Sequence, residues 1–340
     1  MKPMFRHLVF VFFIVPLSGC SSAIYKMAGN SAANFGQDVM LPYLLTTNDT
    51  AIACNAGEAL PIAILPLEQY NHDLTKLAVL THMVSGICAE NRALEAELDY
   101  LRLAREQRIE AAQDARIRAK RWHSLAAKRQ YQSYLSLISV YGELGNECPE
   151  LDNEHDELIW MLGTATALQA ILSDVHGGMQ ADVPHSIAPR AERAIACLDD
   201  PARNKRWWGM PRSIRAVLWV TVPGLSPEGI DPWEEMRLSS QLGIEEGVRT
   251  SHALMAIASY NASRHNELKD IIRQHALTSK TFKVNTTYKL FDSIATDMII
   301  ALSDRLWTEQ TGHRTPHGRL GSFWDDEATL IDIDINIDDL

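Results

Sequence analysis

Apolar residues recur along most of this chain at intervals of three, four or seven positions, which is the spacing of one face of an α-helix. The clearest stretch contains Leu77, Leu80, Val84, Ile87, Leu94, Leu98 and Leu101. Comparable patterns run through 158–175, 247–262, 264–277 and 283–309. Alternation with a period of two, which is typical of β-strands, is found only among the last residues, so the pattern predicts an all-α protein.

Residues that begin and end helices divide these patterns into separate elements. Asp73 is placed to cap the first long helix, and Asp231 followed by Pro232 has the form of a helix start. Gly145 and the pair Gly177-Gly178 are typical of helix ends. Short turns are therefore expected between consecutive helices.

Consecutive helix pairs joined by short turns are typical of helical repeat proteins, in which each pair buries its apolar face against the next pair. The segment 191–201 is similar to the second helix and turn of a tetratricopeptide repeat. The repeats keep no strict period. We therefore expect an all-α fold, an irregular tetratricopeptide-like helical repeat stack or superhelical bundle.

The first twenty residues have the order of an export signal. Lys2 and Arg6 give a positive start, residues 8–15 are an unbroken apolar run, and Leu17-Ser18-Gly19-Cys20 follows. The apolar run is too short to cross a bilayer, which takes about 20 residues. The last four residues resemble the lipobox of bacterial lipoproteins, which implies cleavage before Cys20 and its lipidation. The alternative is a plain secretory signal with a cysteine nearby by chance.

Four regions follow from these patterns. We expect a lipoprotein signal peptide at 1–19, a lipidated flexible tether at 20–37, a helical repeat domain at 38–310 and an acidic C-terminal tail at 311–340. The tether is predicted from its serine, alanine, asparagine and glycine content. In the tail, isoleucines alternate with acidic residues over 330–338. This pattern indicates either a loose acidic segment or a strand that adds to the sheet of a partner.

Charge and composition restrict the partners. The formal net charge is −11, and loss of Lys2 and Arg6 makes it −13. An acidic protein is a poor ligand for nucleic acid, whose binding depends on cations that meet phosphates. Basic residues are frequent over 102–129, but acidic residues are interleaved with them. That mixture favours a solvated helix face, with a partner-facing basic strip as the alternative.

Five cysteines are present, and four remain if Cys20 is lipidated: Cys54, Cys88, Cys148 and Cys197. In an exported protein these four residues can form two disulfides, in any of three connectivities. Buried free thiols are the alternative. Because the sequence has no Cys-x-x-Cys pair, a zinc or redox motif is not expected.

The sequence contains none of the common catalytic or phosphate-binding motifs, and its histidines are scattered. We therefore expect no enzyme, no metal and no cofactor. The candidate binding site is a cluster of cations and tryptophans, since arginine and tryptophan are typical anchors of interfaces and an arginine also suits a carboxylate ligand. The alternative is a helix with its tryptophans packed inside and its cations outside. The candidate residues are Arg203, Arg206, Trp207, Trp208, Arg212, Arg215 and Trp219, with Trp160 as a further member.

Seven segments of the chain carry a further likeness: 40–45, 59–62, 118–126, 159–165, 182–184, 194–199 and 283–307. In their order and spacing they resemble the T component associated with TRAP transporters, the TatT lipoproteins. The likeness runs from about Met40 to about Trp307. The segment 223–229 departs from the family pattern of paired glycines after a proline.

The resemblance implies a lipid-anchored, tetratricopeptide-like protein of the periplasm, self-associated as a trimer. It also implies docking of a periplasmic substrate-binding protein and a cavity or channel that passes small, hydrophobic or carboxylate ligands. Serine after Cys20 is compatible with sorting to the periplasmic face of the outer membrane. Two alternatives are a carrier of lipid-like or sterol-like cargo between membranes without a TRAP permease, and a ligand-free envelope scaffold.

Overall fold

A computed structural model of the protein describes residues 20–71 and 73–326, and within these residues the fold is all-α with no β-strand. A π-helical turn over Gly36–Met40 and a 3₁₀ turn over Leu65–Tyr70 interrupt the first helices. The α-helices are α1 Cys20–Phe35, α2 Leu41–Thr46, α3 Thr50–Ile64, α4 Asp73–Arg105, α5 Ile109–Tyr141, α6 Glu154–Gly177, α7 Ile187–Ala196, α8 Pro201–Arg206, α9 Met210–Thr221, α10 Pro232–Glu246, α11 Thr250–Asn261, α12 His265–Thr278 and α13 Lys289–Thr311.

The long helices α4, α5 and α6 form the centre of the fold. Their interfaces contain small residues, which let the backbones approach closely. A Cβ on Gly86 of α4 would lie 2.6 Å from Gln130 Cγ of α5, and one on Gly177 of α6 would lie 2.8 Å from the backbone of Ser124. Alanines at 89, 93, 119 and 126 are buried in the same contacts. This close packing holds α4, α5 and α6 together as the centre of the fold.

The later helices continue the stack in chain order and then close it. Helix α7 packs on α6, α9 on α7, α10 on α9, and α11 on α10 and α9. Helix α13 packs on α11 and α12 and also returns to α2, α3 and α4. The irregular helical stack therefore closes on itself through the contact of α13 with α4.

A buried ion pair fixes α13 to the neighbouring helices. Arg249, next to the start of α11, donates to Asp292 of α13 through Nε at 2.9 Å and through Nη2 at 2.7 Å. It also donates to Ser279 Oγ at 2.8 Å. Two buried histidines, His252 and His275, stack nearby with ring centroids 5.5 Å apart. Burial lowers the pKa of His252 to about 4 and that of His275 to about 3, so both rings are neutral near pH 7.

The predicted helix boundaries are confirmed in part. Asp231 caps α10 by accepting a hydrogen bond from the Trp233 N–H at 3.0 Å. Asp73 is the first residue of α4 rather than its cap, and its N–H donates to Asn71 Oδ1. Helix α5 ends at Tyr141, earlier than Gly145 predicts, because Gly142 adopts a positive φ.

Two predicted region boundaries are wrong. The segment 20–37, expected to be a flexible tether, is helical through α1, and Ala33 is buried against Leu74 and Leu77. Its alanine content suits a helix as well as it suits a linker. Residues 312–326, expected to belong to a loose tail, pack back onto the body. Phe323 is buried, and Trp307 Nε1 donates to the Ser322 carbonyl.

The predicted signal peptide at 1–19 and the alternating segment at 330–338 lie outside the described residues. The four cysteines that follow Cys20 form two disulfides, which selects one of the three connectivities. Cys54 of α3 joins Cys88 of α4, and Cys148, after α5, joins Cys197, after α7. The first disulfide fixes the short N-terminal helices to the long central one.

Candidate functional site

A cavity of about 500 Å³ lies between the long helices, under the two short helices α2 and α3. Its walls come from α4, α6, α11 and α13, the helices that the closed stack brings together. This volume lies within the range of small-molecule sites, about 300–1,000 Å³. Helices α4, α6 and α13 contribute most of the lining, and we call them the three main walls. Most lining side chains are apolar. Those from the three main walls are Leu77, Leu80, Met83, Val84, Ile87, Leu94, Leu158, Leu162, Leu172, Leu290, Phe291, Ile294, Met298, Ala301 and Leu302.

The three main walls run in the same direction. Lys76 near the start of α4 pairs with Asp156 near the start of α6 at 2.7 Å. Further along α4, Glu97 pairs with Arg305, which is near the end of α13. Arg305 also lies close enough to His176, near the end of α6, for its charge to lower the pKa of that histidine, although burial is the larger cause. The ends of α4, α6 and α13 therefore lie together.

Along all three walls the lining changes from apolar to polar in the same direction. Apart from Thr81, the beginnings of these helices contribute aliphatic and aromatic side chains around Leu80, Leu158 and Phe291. The later turns contribute Glu90, Asn91, Gln169, His176, Asp297 and Arg305. From Leu77 to Glu90 the rise of an α-helix gives a distance of about 20 Å. The cavity is thus long enough to hold an extended molecule with two chemically different ends.

Glu90 is the central polar group of this polar end. The protein surrounds its carboxyl group, yet part of the side chain faces the cavity. Gln169 Nε2 donates to Oε1, and Gln130 Nε2 donates to Oε2 at 3.3 Å. Burial raises the pKa of Glu90, although both amide hydrogen bonds oppose the shift.

A second polar group surrounds Arg305. Its Nη1 donates to Glu97 Oε2 at 2.6 Å, and its Nε donates to Glu309 Oε1 at 3.2 Å. His123 Nε2 lies 3.0 Å from the other oxygen of Glu97. Burial opposes ionisation of Glu97, but the hydrogen bond with His123 and the charge of Arg305 outweigh it and lower its pKa. The guanidinium is therefore already balanced by protein carboxylates.

Helices α2 and α3 cover the cavity as a lid that is attached unequally on its two sides. Towards α4, the lid is held by the Cys54–Cys88 disulfide, and Glu58 accepts hydrogen bonds from Arg92 and Arg129. Towards α13, the hydrogen bond from Thr50 Oγ1 to Asp297 Oδ2 is 2.8 Å long. The α4 side is thus covalently fixed, and the α13 side is held by weaker contacts.

A second cavity of about 380 Å³ adjoins the polar end, and the two cavities share Asn91, Leu94, Asp297, Ala301 and Arg305. Its other lining residues are mostly charged. The apolar cavity therefore continues into a polar vestibule between α4 and α13.

The tryptophans that the sequence placed in the candidate binding site are core residues. Trp160, Trp207 and Trp208 are at most 1% exposed and do not line the cavity. Trp160 Nε1 donates to the Ala194 carbonyl at 2.9 Å, and Trp207 Nε1 donates to Glu157 Oε2 at 2.9 Å. The structure therefore places all three side chains in the core, and the N–H groups of Trp160 and Trp207 are already bonded inside the protein.

The arginines of that cluster are paired with acids of the same chain. Arg203 and Arg206 both donate to Glu157. The remaining pairs are Arg212 with Asp199 and Glu235, Arg215 with Glu192 and Asp199, and Trp219 Nε1 with Glu192. The cluster is therefore an internal network that joins α6, α7, α8, α9 and α10, and it offers no unpaired fork for a carboxylate ligand.

Sequence reasoning missed the polar end of the cavity, although a signal for it exists. The apolar face of α4 was predicted from Leu77, Leu80, Val84, Ile87 and Leu94. That face lines the cavity. Positions 90 and 91 fall on the same face, and there the pattern changes to glutamate and asparagine. A polar interruption of an otherwise apolar helical face is the local sign of such a site.

The N-terminal helices also carry an apolar outer surface, which we call the N-terminal apolar surface. Residues 21–71 contain only five charged side chains. By length and composition two helical stretches could cross a membrane, Thr50–Tyr70 and Glu154–Gly177, but the second is mostly buried in the core. The exposed large apolar residues of this surface are Ile24, Tyr25, Met27, Phe35, Val39, Tyr43, Ile52 and Ile62.

Within residues 20–71 and 73–326 the structure brings together no group of three or more side chains suited to holding a metal ion. A scan against protein-family models, a search of curated proteins and a search of solved structures each return no match for the chain. The cavity geometry is therefore the main guide to function.

Proposed function

We propose that this protein is a lipid-anchored accessory component of a transport system in the bacterial envelope, and that it binds or passes a small, mainly apolar ligand. The observation that carries this proposal is the cavity of about 500 Å³ with its largely aliphatic lining and its lid. A ligand-free scaffold would gain nothing from such a space, since an apolar cavity costs packing energy. The proposed activity is capture and release, without chemistry.

The membrane attachment is proposed from Cys20 and from the surface next to it. Cys20 is the first described residue of α1, and the N-terminal apolar surface starts a few residues later, at Ile24. Exposed apolar patches of this kind are typical of membrane or protein contact sites. With acyl chains on Cys20, this surface would face the periplasmic leaflet of the outer membrane. The lid would then lie on the membrane side of the cavity.

Docking of a periplasmic substrate-binding protein and assembly as a trimer are proposed from the resemblance to TatT lipoproteins alone. Carriage of a lipid-like or sterol-like molecule between membranes without a TRAP permease is a second candidate, which the same apolar cavity favours. Co-purification of the lipidated protein from an envelope extract would separate the two. A substrate-binding protein in the complex supports the transporter reading, and its absence favours the carrier.

The cavity itself is tested with the protein from residue 20 onward, in which Cys20→Ser prevents lipidation; we call this form the mature body. Native mass spectrometry of the protein exported to a periplasm should detect a co-purifying small molecule and report the oligomeric state. Ala301→Phe fills space in the cavity wall and should reduce ligand occupancy and the binding of a neutral apolar dye at least tenfold. Ala104→Phe, on the exposed side near the end of α4, is the matched control.

Two results would count against a ligand-binding function. One is a ligand-free protein that also fails to bind the dye. The other is equal dye binding by the wild type and by Ala301→Phe, provided that both melt at similar temperatures.

A further inference from the structure

We propose that the ligand is an amphiphile whose apolar chain lies along α4, α6 and α13 and whose head donates a hydrogen bond to Glu90, so that the cavity selects alcohols or amines against carboxylates. This inference rests on the proposed function, because it assigns the chemical class of the ligand in the same cavity. It also replaces the carboxylate ligand that the sequence alone suggested.

The orientation follows from the shared direction of the three wall helices. At the apolar end, around Leu80, Leu158 and Phe291, the only lining side chain of these three helices that can form a hydrogen bond is Thr81. A polar head placed there would lose its hydration without compensation, which is costly in an apolar environment. The charged and amide side chains that α4, α6 and α13 contribute to the lining all lie towards the other end. The head of an amphiphile is therefore expected beside Glu90.

The preference for a donor follows from the hydrogen-bond inventory of Glu90. A carboxylate has about four acceptor positions. Two of them are used, one by Gln169 on Oε1 and one by Gln130 on Oε2. When it is ionised, its remaining capacity towards the cavity is for accepting hydrogen bonds only, and an ammonium head beside it would offset the burial that raises its pKa. A hydroxyl or ammonium head can donate to it, whereas a carboxylate head cannot.

The discrimination against anions follows from the charges around the same space. Asp297 is a second carboxyl in the cavity wall. The cations that line the cavity do not compensate for these two groups. Arg305 is paired with Glu97 and Glu309, and burial lowers the pKa of His176, which favours its neutral form. An anionic head would thus approach carboxyl groups without an unpaired cation among the described lining residues.

The test is displacement of a neutral fluorescent probe, N-phenyl-1-naphthylamine, by three ligands with the same chain: dodecanol, dodecylamine and dodecanoate. The mature Cys20→Ser body is used at pH 7, with ligands below their micelle concentrations. We expect dodecanol or dodecylamine to displace the probe at concentrations at least about tenfold lower than dodecanoate, the ratio typical of one hydrogen bond to a charged group. The order of the alcohol and the amine shows whether the head is neutral or cationic.

The variant Glu90→Gln keeps the size of the side chain and removes its charge. It should bring dodecanoate to within about threefold of dodecanol. Glu110→Gln, on the exposed side of α5, should leave the wild-type ratio unchanged. The inference would be overturned if dodecanoate bound to the wild type as tightly as dodecanol, or if Glu90→Gln left the ratio unchanged. Either result would still be consistent with an apolar ligand cavity. Failure of the probe and of all three ligands to bind would instead refute the proposed function.

Discussion

The buried pair of Arg249 and Asp292 offers the sharpest test of how the helical stack is closed. Both side chains are less than a tenth exposed, and the pair is bidentate. It joins the start of α11 to α13, the helix that carries Ala301 and Arg305 into the cavity. Because a buried charge without its partner is strongly unfavourable, replacing one member should cost far more than replacing both.

The magnitudes follow from the contacts of the pair. Arg249→Met leaves Asp292 buried without its cation and should lower the free energy of unfolding by about 3–5 kcal/mol. The double variant Arg249→Met/Asp292→Leu removes both charges from the interior. It also loses the hydrogen bond from the Arg249 N–H to Asp292 Oδ1 at 3.0 Å, worth about 1 kcal/mol. We therefore expect the double variant to lie within about 2 kcal/mol of the wild type.

The assay is equilibrium unfolding in urea, followed by tryptophan fluorescence, with both disulfides intact. Arg237→Met, which removes an exposed ion pair with Glu234 on α10, is the control and should cost no more than about 0.5 kcal/mol. A double variant as unstable as the sum of its single variants would refute the reasoning. It would mean that the pair contributes through its separate contacts rather than through mutual neutralisation.

Three further measurements address other parts of the structure. Burial lowers the pKa of His275 from 6.5 to about 3, so between these pH values the unfolded chain binds more protons than the folded protein, and stability falls as the pH drops. His275→Gln should reduce the slope of unfolding free energy against pH in this window by about 1.4 kcal/mol per pH unit, measured by urea titrations. Equal slopes in the variant and the wild type would contradict this. Trp208→Ala should cost about 3–5 kcal/mol in the same assay while the folded fraction binds the probe normally, and weakened probe binding without a loss of stability would return Trp208 to the binding site. Replacing Cys54 and Cys88 with alanine should cost about 3–4 kcal/mol of stability and speed probe release in stopped-flow experiments. Removing the other disulfide, as the control, should lower stability without changing the release rate. Equal release rates in the wild type and the Cys54/Cys88 variant would show that α3 does not control the cavity.

The helical fold could be predicted from the sequence because the information is local. Apolar spacing along α4 and α6, and the Asp231-Pro232 start of α10, depend on residues within a few turns of each other. The errors lie where composition permits two states. The alanine-rich segment at 20–37 suits a linker or a helix, and burial of Ala33 against α4 selects the helix. Such a contact, about 40 positions away in the chain, leaves no mark in the local pattern.

The candidate site predicted from the sequence lies among internal contacts for a related reason. Arg203, Arg206 and Trp207 seemed available because their common partner, Glu157, lies 46 to 50 positions earlier. Conversely, the apolar face of α4 looked like an ordinary core face. Spacing shows which face of a helix avoids water, but it does not show whether neighbouring helices fill the space beside it. Here the filling is decided by α13, whose Arg305 meets Glu97 across 208 positions of sequence. On α4, the change from apolar residues to Glu90 and Asn91 is the local mark of the polar end of the cavity.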